Sequence, residues 1–424
     1  MKNFQAKGII FLFSLLLLTV TCSHFNGSQN TPGPQMLDTI INMDTIANIQ
    51  IKPYTPTAKT SGNLQELKLN LNASAKSDRF DTMFTSLHNT GFSGCVLVAQ
   101  QGVILFEKCY GDSNIDTDSL TNNSIFQLAS VSKTITATAA LLLIDNNIIG
   151  LDSNINRYLP ELPYHNITVR QLLTHRSGLP NYVYFTDETY FDRLDNDYMD
   201  NNELLTYLVE CPPPINLQPD SRFVYCNTNY SLLASIIERV SHMKFSNFIA
   251  TYIFTPLQMY STFATTPWQF AQYKNATKGA YVNGKPIGDN YQDGIMGDKG
   301  IYSTVRDMFL FHTALSNGFI SSTLIELAYS NAVTEPNRFK KYGLGWRIYE
   351  AGDKHHITSK IVYHNGWWHG YRTAFHRRLI DNSCVIVLGN NLCRNVYSCA
   401  SNSFYILDNL SPKLEDDTTD SVLD

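Results

Sequence analysis

Apolar and polar positions change period several times along the chain. In residues 77–87, Phe80, Met83, Phe84 and Leu87 recur three and four apart, which predicts an amphipathic helix with Ser77 as its cap. Two runs follow, SGCVLVAQ and VILFEKCYG, joined through Gln101-Gly102, and they predict a β-hairpin. The stretch FQLASVSKTITATAALLLIDNNIIGLD, residues 126–152, reads as a short extended entry and then a helix that stops at Asn146, Asn147 and Gly150. Thr168 is placed to cap a short helix ending before Gly178 and Pro180. The run RFVYCNTNYSLLASIIERV predicts an extended arrival, a polar turn and an amphipathic helix from about Tyr230. Residues 297–315 repeat that plan. Residues 342–349, 359–364, 372–377 and 383–388 predict strands, and residues 400–410 a closing helix. Strands at both ends with helices between imply an α+β fold. One antiparallel sheet is formed from both termini and flanked by helices, with an intervening helical region.

The ends of the chain have another character. Lys2 and Lys7 precede an apolar run at residues 9–20, broken only by Ser14 and Thr19 and typical of a signal-peptide core. The run ends at Thr19-Val20-Thr21-Cys22, which resembles the bacterial lipoprotein cleavage box. That resemblance implies export, with lipidation at Cys22 as the only contact with a membrane. Residues 1–22 are thus expected to be a signal peptide and residues 23–76, rich in Asn, Thr, Ser and Lys, a tether of low order. Residues 77–411 form the expected folded domain, and residues 412–424 an acidic tail.

Composition narrows the function classes. At 424 residues, 43% hydrophobic and 16% charged, the chain is globular with ample material for a core. A net charge of -5, without a long Lys/Arg run or zinc-finger spacing, gives no reason to expect nucleic acid as a partner. There are eight cysteines and no C-x-x-C, so thiol redox or zinc chemistry is not indicated. Cys95 and Cys109 fall on one hairpin as possible neighbours, with their pairing open. Residues 182–220 interleave acidic and aromatic side chains, fitting either a lid or a solvated loop with packed aromatics.

The candidate chemistry begins at Ser130. Three residues before Lys133 and at the start of the long helix, its hydroxyl shares a face with the ammonium. Free backbone N–H groups and the positive helix end lie where an oxyanion would form. A serine nucleophile with a lysine proton acceptor requires that geometry. Ser-x-x-Lys is also expected roughly twice by chance in a chain of this length. Its second copy, Ser241 to Lys244, follows a helix rather than opening one, so carbonyl ends there oppose an anion. A simple N-cap remains the bland reading of Ser130.

Further stretches come in a recognisable order: FQLASVSKTITATAALLLID, ITVRQLLTHRSGLPNY, FVYCNTNYSLLASIIE, IFTPLQMYSTF, GDKGIYSTVRDM, YGLGW and HNGWWHGY. Together they resemble the serine β-lactamase and penicillin-binding-protein superfamily, nearest its class C β-lactamase-like group of D-peptidases and esterases. The resemblance implies a β-lactamase/transpeptidase-like fold and an acyl-enzyme mechanism without a cofactor or metal. The substrate would be a small molecule or peptide, cell-wall fragments included: a D-amino-acid peptide, an ester or a β-lactam-like compound.

It further implies that Tyr225 shares the nucleophile's proton with Lys133, and that Asn227 holds a substrate amide. The third motif is His364-Asn365-Gly366, with Gly366 letting substrate lie close. The N–H of Trp367 joins that of Ser130 as an oxyanion donor. A phenol beside an ammonium has a depressed pKa and can serve as a base near neutrality. β-Lactamases carry Lys where His364 stands. A mostly neutral His favours peptidase or esterase activity over true β-lactamase activity.

Rival readings remain. His355, His356, His364, His369 and His376 cluster in sequence, but no H-E-x-x-H supports a zinc site. No G-x-S-x-G supports an α/β-hydrolase. His175 reads as a structural loop residue. A catalytically silent binding or sensor domain of the same fold at the cell envelope is the alternative of a different class.

Overall fold

The computed structural model describes residues 51–52, 54, 75–114, 118–186, 197–333, 341–350 and 359–411. The expected targeting segment with Cys22, most of the tether, the acidic tail, His355, His356 and part of the candidate lid lie outside them.

Helix α1 (Ala75–Asn89) leads into strands β1 (Gly94–Gln100) and β2 (Val103–Tyr110), then β3 (Phe126–Gln127). Helices α2 (Ser132–Asp145), α3 (Val169–Leu173), α4 (Asn201–Glu210), α5 (Asn227–Ser241) and α6 (Phe245–Ile249) form the intervening region. Strand β4 (Phe263–Ala264), helix α7 (Pro267–Phe270), strand β5 (Ile301–Ser303) and helices α8 (Val305–Ser316) and α9 (Ser322–Ala328) follow. The chain closes with β6 (Lys341–Tyr342), β7 (Arg347–Tyr349), β8 (Ile361–Trp368), β9 (Tyr371–Arg378), β10 (Ser383–Gly389) and α10 (Val396–Leu407).

Seven strands form one sheet in the order β2-β1-β10-β9-β8-β7-β6, with antiparallel pairing throughout. The sheet from both ends of the sequence is therefore present. A smaller sheet, β3-β5-β4, brings the entry to α2 against β5. Strand alternation sorts the side chains into two layers. Val96 and Val98 of β1 pack with Phe80 and Phe84 of α1 and Phe404 of α10. Their neighbours Leu97 and Ala99 face the other way, into the larger core with Ile135 of α2, Ile236 of α5 and Phe311 of α8. Helix α2 is covered on all sides, which explains why it is apolar around its circumference rather than along one stripe.

Several local expectations change. The first helix starts two residues before Ser77. The expected strand over residues 342–349 is two strands, because Gly345, at φ 88°, turns the chain between them. Helix α5 begins at Asn227, so the expected polar turn is its first turn. Thr168 caps α3 with a full capping box shared with Gln171. Cys95 and Cys109 stand directly opposite each other on β1 and β2 and form a disulfide. Cys226 and Cys384 are buried free thiols.

Candidate active site

Ser130 lies one step outside the expected position. It sits in a 3-10 turn, Ala129–Val131, and α2 proper begins at Ser132. Ala129 adopts φ 48°, a conformation disfavoured for a residue with a Cβ. The strained residue immediately before the hydroxyl turns the chain sharply from β3 into the helix. Ser130 keeps partial exposure, whereas Lys133 one turn on is fully buried.

Lys133 Nζ donates to Ser130 Oγ at 3.0 Å and to the carbonyl of Asp298 at 3.0 Å. The segment carrying Asp298 is fixed to α2 a second time, where Thr136 Oγ1 donates to the carbonyl of Gly297 at 2.7 Å. Asp298's carboxylate accepts from Tyr182 at 2.9 Å and from Ser231 at 3.4 Å. Buried Lys299 donates to Tyr182 at 2.6 Å and to the Gln292 carbonyl at 2.8 Å. The ammonium of Lys133 thus rests on a floor of fixed oxygens.

Tyr225 closes one side. Lys133 Nζ stands 4.9 Å from its ring centre, and the guanidinium of Arg347 lies 5.3 Å from the same centre. Two residues on, the Asn227 Oδ1 is buried and accepts no hydrogen bond among the described residues, leaving an acceptor for a ligand N–H. Between them Cys226 is buried, and burial pushes its thiol up to about 11. A thiol so held is a poor rival nucleophile.

His364 has different partners from those expected. Its ring is fully buried. Nδ1 lies 2.7 Å from the Asn365 carbonyl, which can only accept, so the ring proton is on Nδ1. Nε2 then accepts from the Tyr342 hydroxyl at 3.2 Å. Burial, then the charges of Arg347 and Lys133, hold its pKa well below the ordinary value, so the ring is neutral as anticipated. Both nitrogens are engaged by the protein, and any influence on a ligand passes through Tyr342.

Gly366 also serves a different neighbour. A Cβ there would strike the Thr373 hydroxyl, the Leu128 carbonyl and Ala129. The close approach is by the chain's own turn before Ser130, tied by a hydrogen bond from Thr373 Oγ1 to the Leu128 carbonyl at 2.7 Å. Strand β7 pairs with β8 only as far as Tyr363. Beyond it, among the described residues, the β8 edge that carries Trp367 has no strand partner on that side. Trp367 is 48% exposed, while Trp368 Nε1 and His369 Nδ1 both reach the buried carboxylate of Asp293.

The other candidates disperse. Ser241 is the last residue of α5, beside Lys244 outside the helix. His376 bonds Asn365 on the far side of β8, so among the described residues it and His364 face opposite sides of the sheet, while His355 and His356 lie outside them. Among the described residues no group of three His, Cys, Asp or Glu side chains is arranged to hold a metal ion. Sequence reasoning missed Asp298, Lys299, Tyr342 and Arg347. The stretches GDKGIYST and YGLGWR carried them, but the use made of Asp298 is a backbone carbonyl, which no residue type announces.

Comparison with known proteins agrees with this architecture. The Beta-lactamase family model matches residues 80–403. Penicillin-binding protein 4* of Bacillus subtilis (strain 168) is 32% identical over 332 residues, 74% of this chain and 72% of the relative. Esterase EstB of Burkholderia gladioli is 27% identical over 254 residues, 56% of this chain and 62% of the relative. The solved D-amino acid amidase from Ochrobactrum anthropi SV3, complexed with L-phenylalanine amide, superposes with a TM-score of 0.64 at 21% identity, covering 79% of this chain and 99% of that one. With the family model spanning well over half of its length, this chain belongs to the Beta-lactamase family, within the serine β-lactamase and penicillin-binding-protein superfamily of serine hydrolases.

Proposed function

We propose that the protein is an exported hydrolase that cleaves amide or ester bonds through an acyl-enzyme on Ser130. The observation that carries this reading is the 3.0 Å contact between Lys133 Nζ and Ser130 Oγ at the start of α2. Ser130 Oγ attacks the substrate carbonyl carbon, and its proton passes to the Lys133–Tyr225 pair. The developing oxyanion is held by the N–H groups of Ser130 and Trp367. The carbon–nitrogen or carbon–oxygen bond then breaks, and the same proton goes to the leaving group. Water attacks the ester in the second half and restores Ser130.

A D-amino-acid peptide or amide suits the site best. Asn227 Oδ1 offers an acceptor for a substrate N–H. Arg347 supplies, beside Tyr225, a permanent charge that neutral His364 does not. A substrate carboxylate is served from that side. A named D-amino acid amidase and a named penicillin-binding protein among the similar proteins favour the same class. Export is favoured by the apolar run of residues 9–20 and by the Cys95–Cys109 disulfide, since such bonds persist in oxidising compartments. Anchoring through a lipid on Cys22 fits the same picture.

The test is covalent labelling of the full chain with a fluorophosphonate and with a penicillin, read by mass spectrometry. The adduct is expected on Ser130 and absent in Ser130→Ala. An adduct on Ser241, or none on a folded protein, overturns the reading; the second outcome leaves a silent binding domain.

A further inference from the structure

His175 is held in a way that the hydrolytic machinery described so far does not use. It follows α3 in the segment Thr174-His175-Arg176-Ser177, adopts φ 56° and is fully buried. Its main-chain carbonyl accepts the N–H of Val224 at 2.9 Å. Its ring Nδ1 accepts the N–H of Cys226 at 3.1 Å. Those two residues flank Tyr225. One residue therefore grips the backbone immediately before and immediately after the phenol.

The ring is itself fixed. The side-chain amide of Asn229 donates to the same Nδ1 at 3.3 Å, and Asn229 Oδ1 accepts from Ser177 Oγ at 2.6 Å. Because both partners at Nδ1 are donors, that nitrogen carries no proton, and the neutral ring holds its hydrogen on Nε2. A second proton would set an N–H against two others. The ring also packs on Tyr225, with centroids 4.3 Å apart at 37°. Tyr230 and Tyr342 lie against it at 5.1 Å and 4.9 Å. Besides these tyrosines and Cys226, the charged or titratable groups facing it are Lys133, His364 and Arg347. Burial first, and then these charges, keep it neutral.

We propose that His175 is the positioning residue for Tyr225, holding the phenol against Lys133 through a neutral Nδ1 acceptor and a stacked ring. The proposal rests on the acyl-enzyme reading. Within that reading, Tyr225 takes part in proton transfer only while its ring stays at its 4.9 Å contact with the Lys133 ammonium. Release of the Cys226 N–H frees the Tyr225 backbone, and the phenol moves away from the ammonium with which it shares the proton.

The experiment compares wild type with His175→Asn and His175→Phe on full-length protein shown folded by circular dichroism. Asn keeps an acceptor near the place of Nδ1; Phe keeps the ring and loses the acceptor. The readouts are kcat and KM for p-nitrophenyl acetate and the pH profile of kcat/KM. The Phe variant is expected to lose roughly 10²-fold or more in kcat with KM little changed. Its acid limb moves to higher pH, because a base removed from a cation has a higher pKa. The Asn variant recovers at least a tenth of the wild-type kcat. A folded Phe variant with wild-type kcat and pH profile overturns the proposal.

If the Phe variant does not fold, His175→Gln moves the acceptor one methylene away. Equal kcat in the Asn and Gln variants then overturns the proposal, and a Gln variant about ten-fold slower or worse supports it. Fluorophosphonate labelling of wild type separates the two ideas. No label on wild type refutes the hydrolase reading, whereas label on wild type with indifferent variants refutes only the role of His175.

Discussion

Lys133 divides its ammonium between Ser130 Oγ and the carbonyl of Asp298, each at 3.0 Å. The second bond sets the direction of the first. A buried lysine with one partner could swing among rotamers; with a backbone oxygen on its other side it points at the hydroxyl.

Lys133→Ala is accordingly expected to slow acylation of Ser130 by roughly 10²–10⁴-fold, the usual worth of positioned proton transfer. Stopped-flow measurement with p-nitrophenyl acetate checks this. A variant that acylates at the wild-type rate removes Lys133 from the proton path.

Gly366→Ala tests the contact between β8 and the turn before the nucleophile. The new methyl meets the Leu128 carbonyl and Ala129. Overpacking of this kind costs about 1–3 kcal/mol. The expected result is a lower melting temperature together with weaker fluorophosphonate labelling. Unchanged values in both would mean that β8 has room there and the glycine answers another need.

Stability is expected to fall as pH drops below about 6.5. Burial is the first cause that lowers the pKa values of His175, His312 and His364 well below the ordinary value, and nearby charges add to it. The unfolded chain then binds more protons than the folded one below the ordinary His value, so stability rises with pH through that window. Each such group contributes up to about 1.4 kcal/mol per pH unit. Asp307 works in the opposite sense between its ordinary value and about 6, because burial raises its pKa, and Glu238, raised by burial as well, does the same above its ordinary value. Three groups against two leave a net loss in acid. Melting temperatures between pH 5 and 8 measure it, and a flat profile would contradict the buried neutral histidines.

Arg347 predicts a substrate preference. Arg347→Gln should raise KM for a D-alanyl peptide with a free carboxylate by roughly ten-fold, in line with about 1.5–3 kcal/mol for a hydrogen bond to a charged group. The matching C-terminal amide should change little. Equal effects on both substrates would place the carboxylate elsewhere.

Much of this could be read in the chain because the signals were local. Thr168 and Gln171 form their capping box within one turn, and β1 and β2 meet across Gln101-Gly102. The order of Ser130, Tyr225 and His364 along the chain is the order in which the fold gathers them. What stayed hidden depends on partners far apart in sequence. Gly366 is a glycine because of Leu128, and the Nε2 of His364 is occupied because of Tyr342. No periodicity within β8 carries that information. The sequence pattern starts helix α5 at about Tyr230 rather than Asn227 because Asn227 and Asn229 are poor helix formers in isolation, and tertiary contacts such as the pairing of Asn229 with Ser177 outweigh that preference.

The place of β1 in the sheet bears on how the protein is made. Its one edge is filled by β2, a few residues away, and its other edge by β10, where Gly94 meets Gly389. A chain synthesised from its N-terminus therefore carries an open strand edge until nearly all of it has emerged. Contacts of such long separation form slowly, and an open edge invites pairing with other chains in the meantime. The last strand thus acts as a test of completeness: a product truncated before residue 383 has all of Ser130, Lys133 and Tyr225 yet no means of closing its sheet. Such a fragment is left to aggregation or proteolysis rather than to a partial activity.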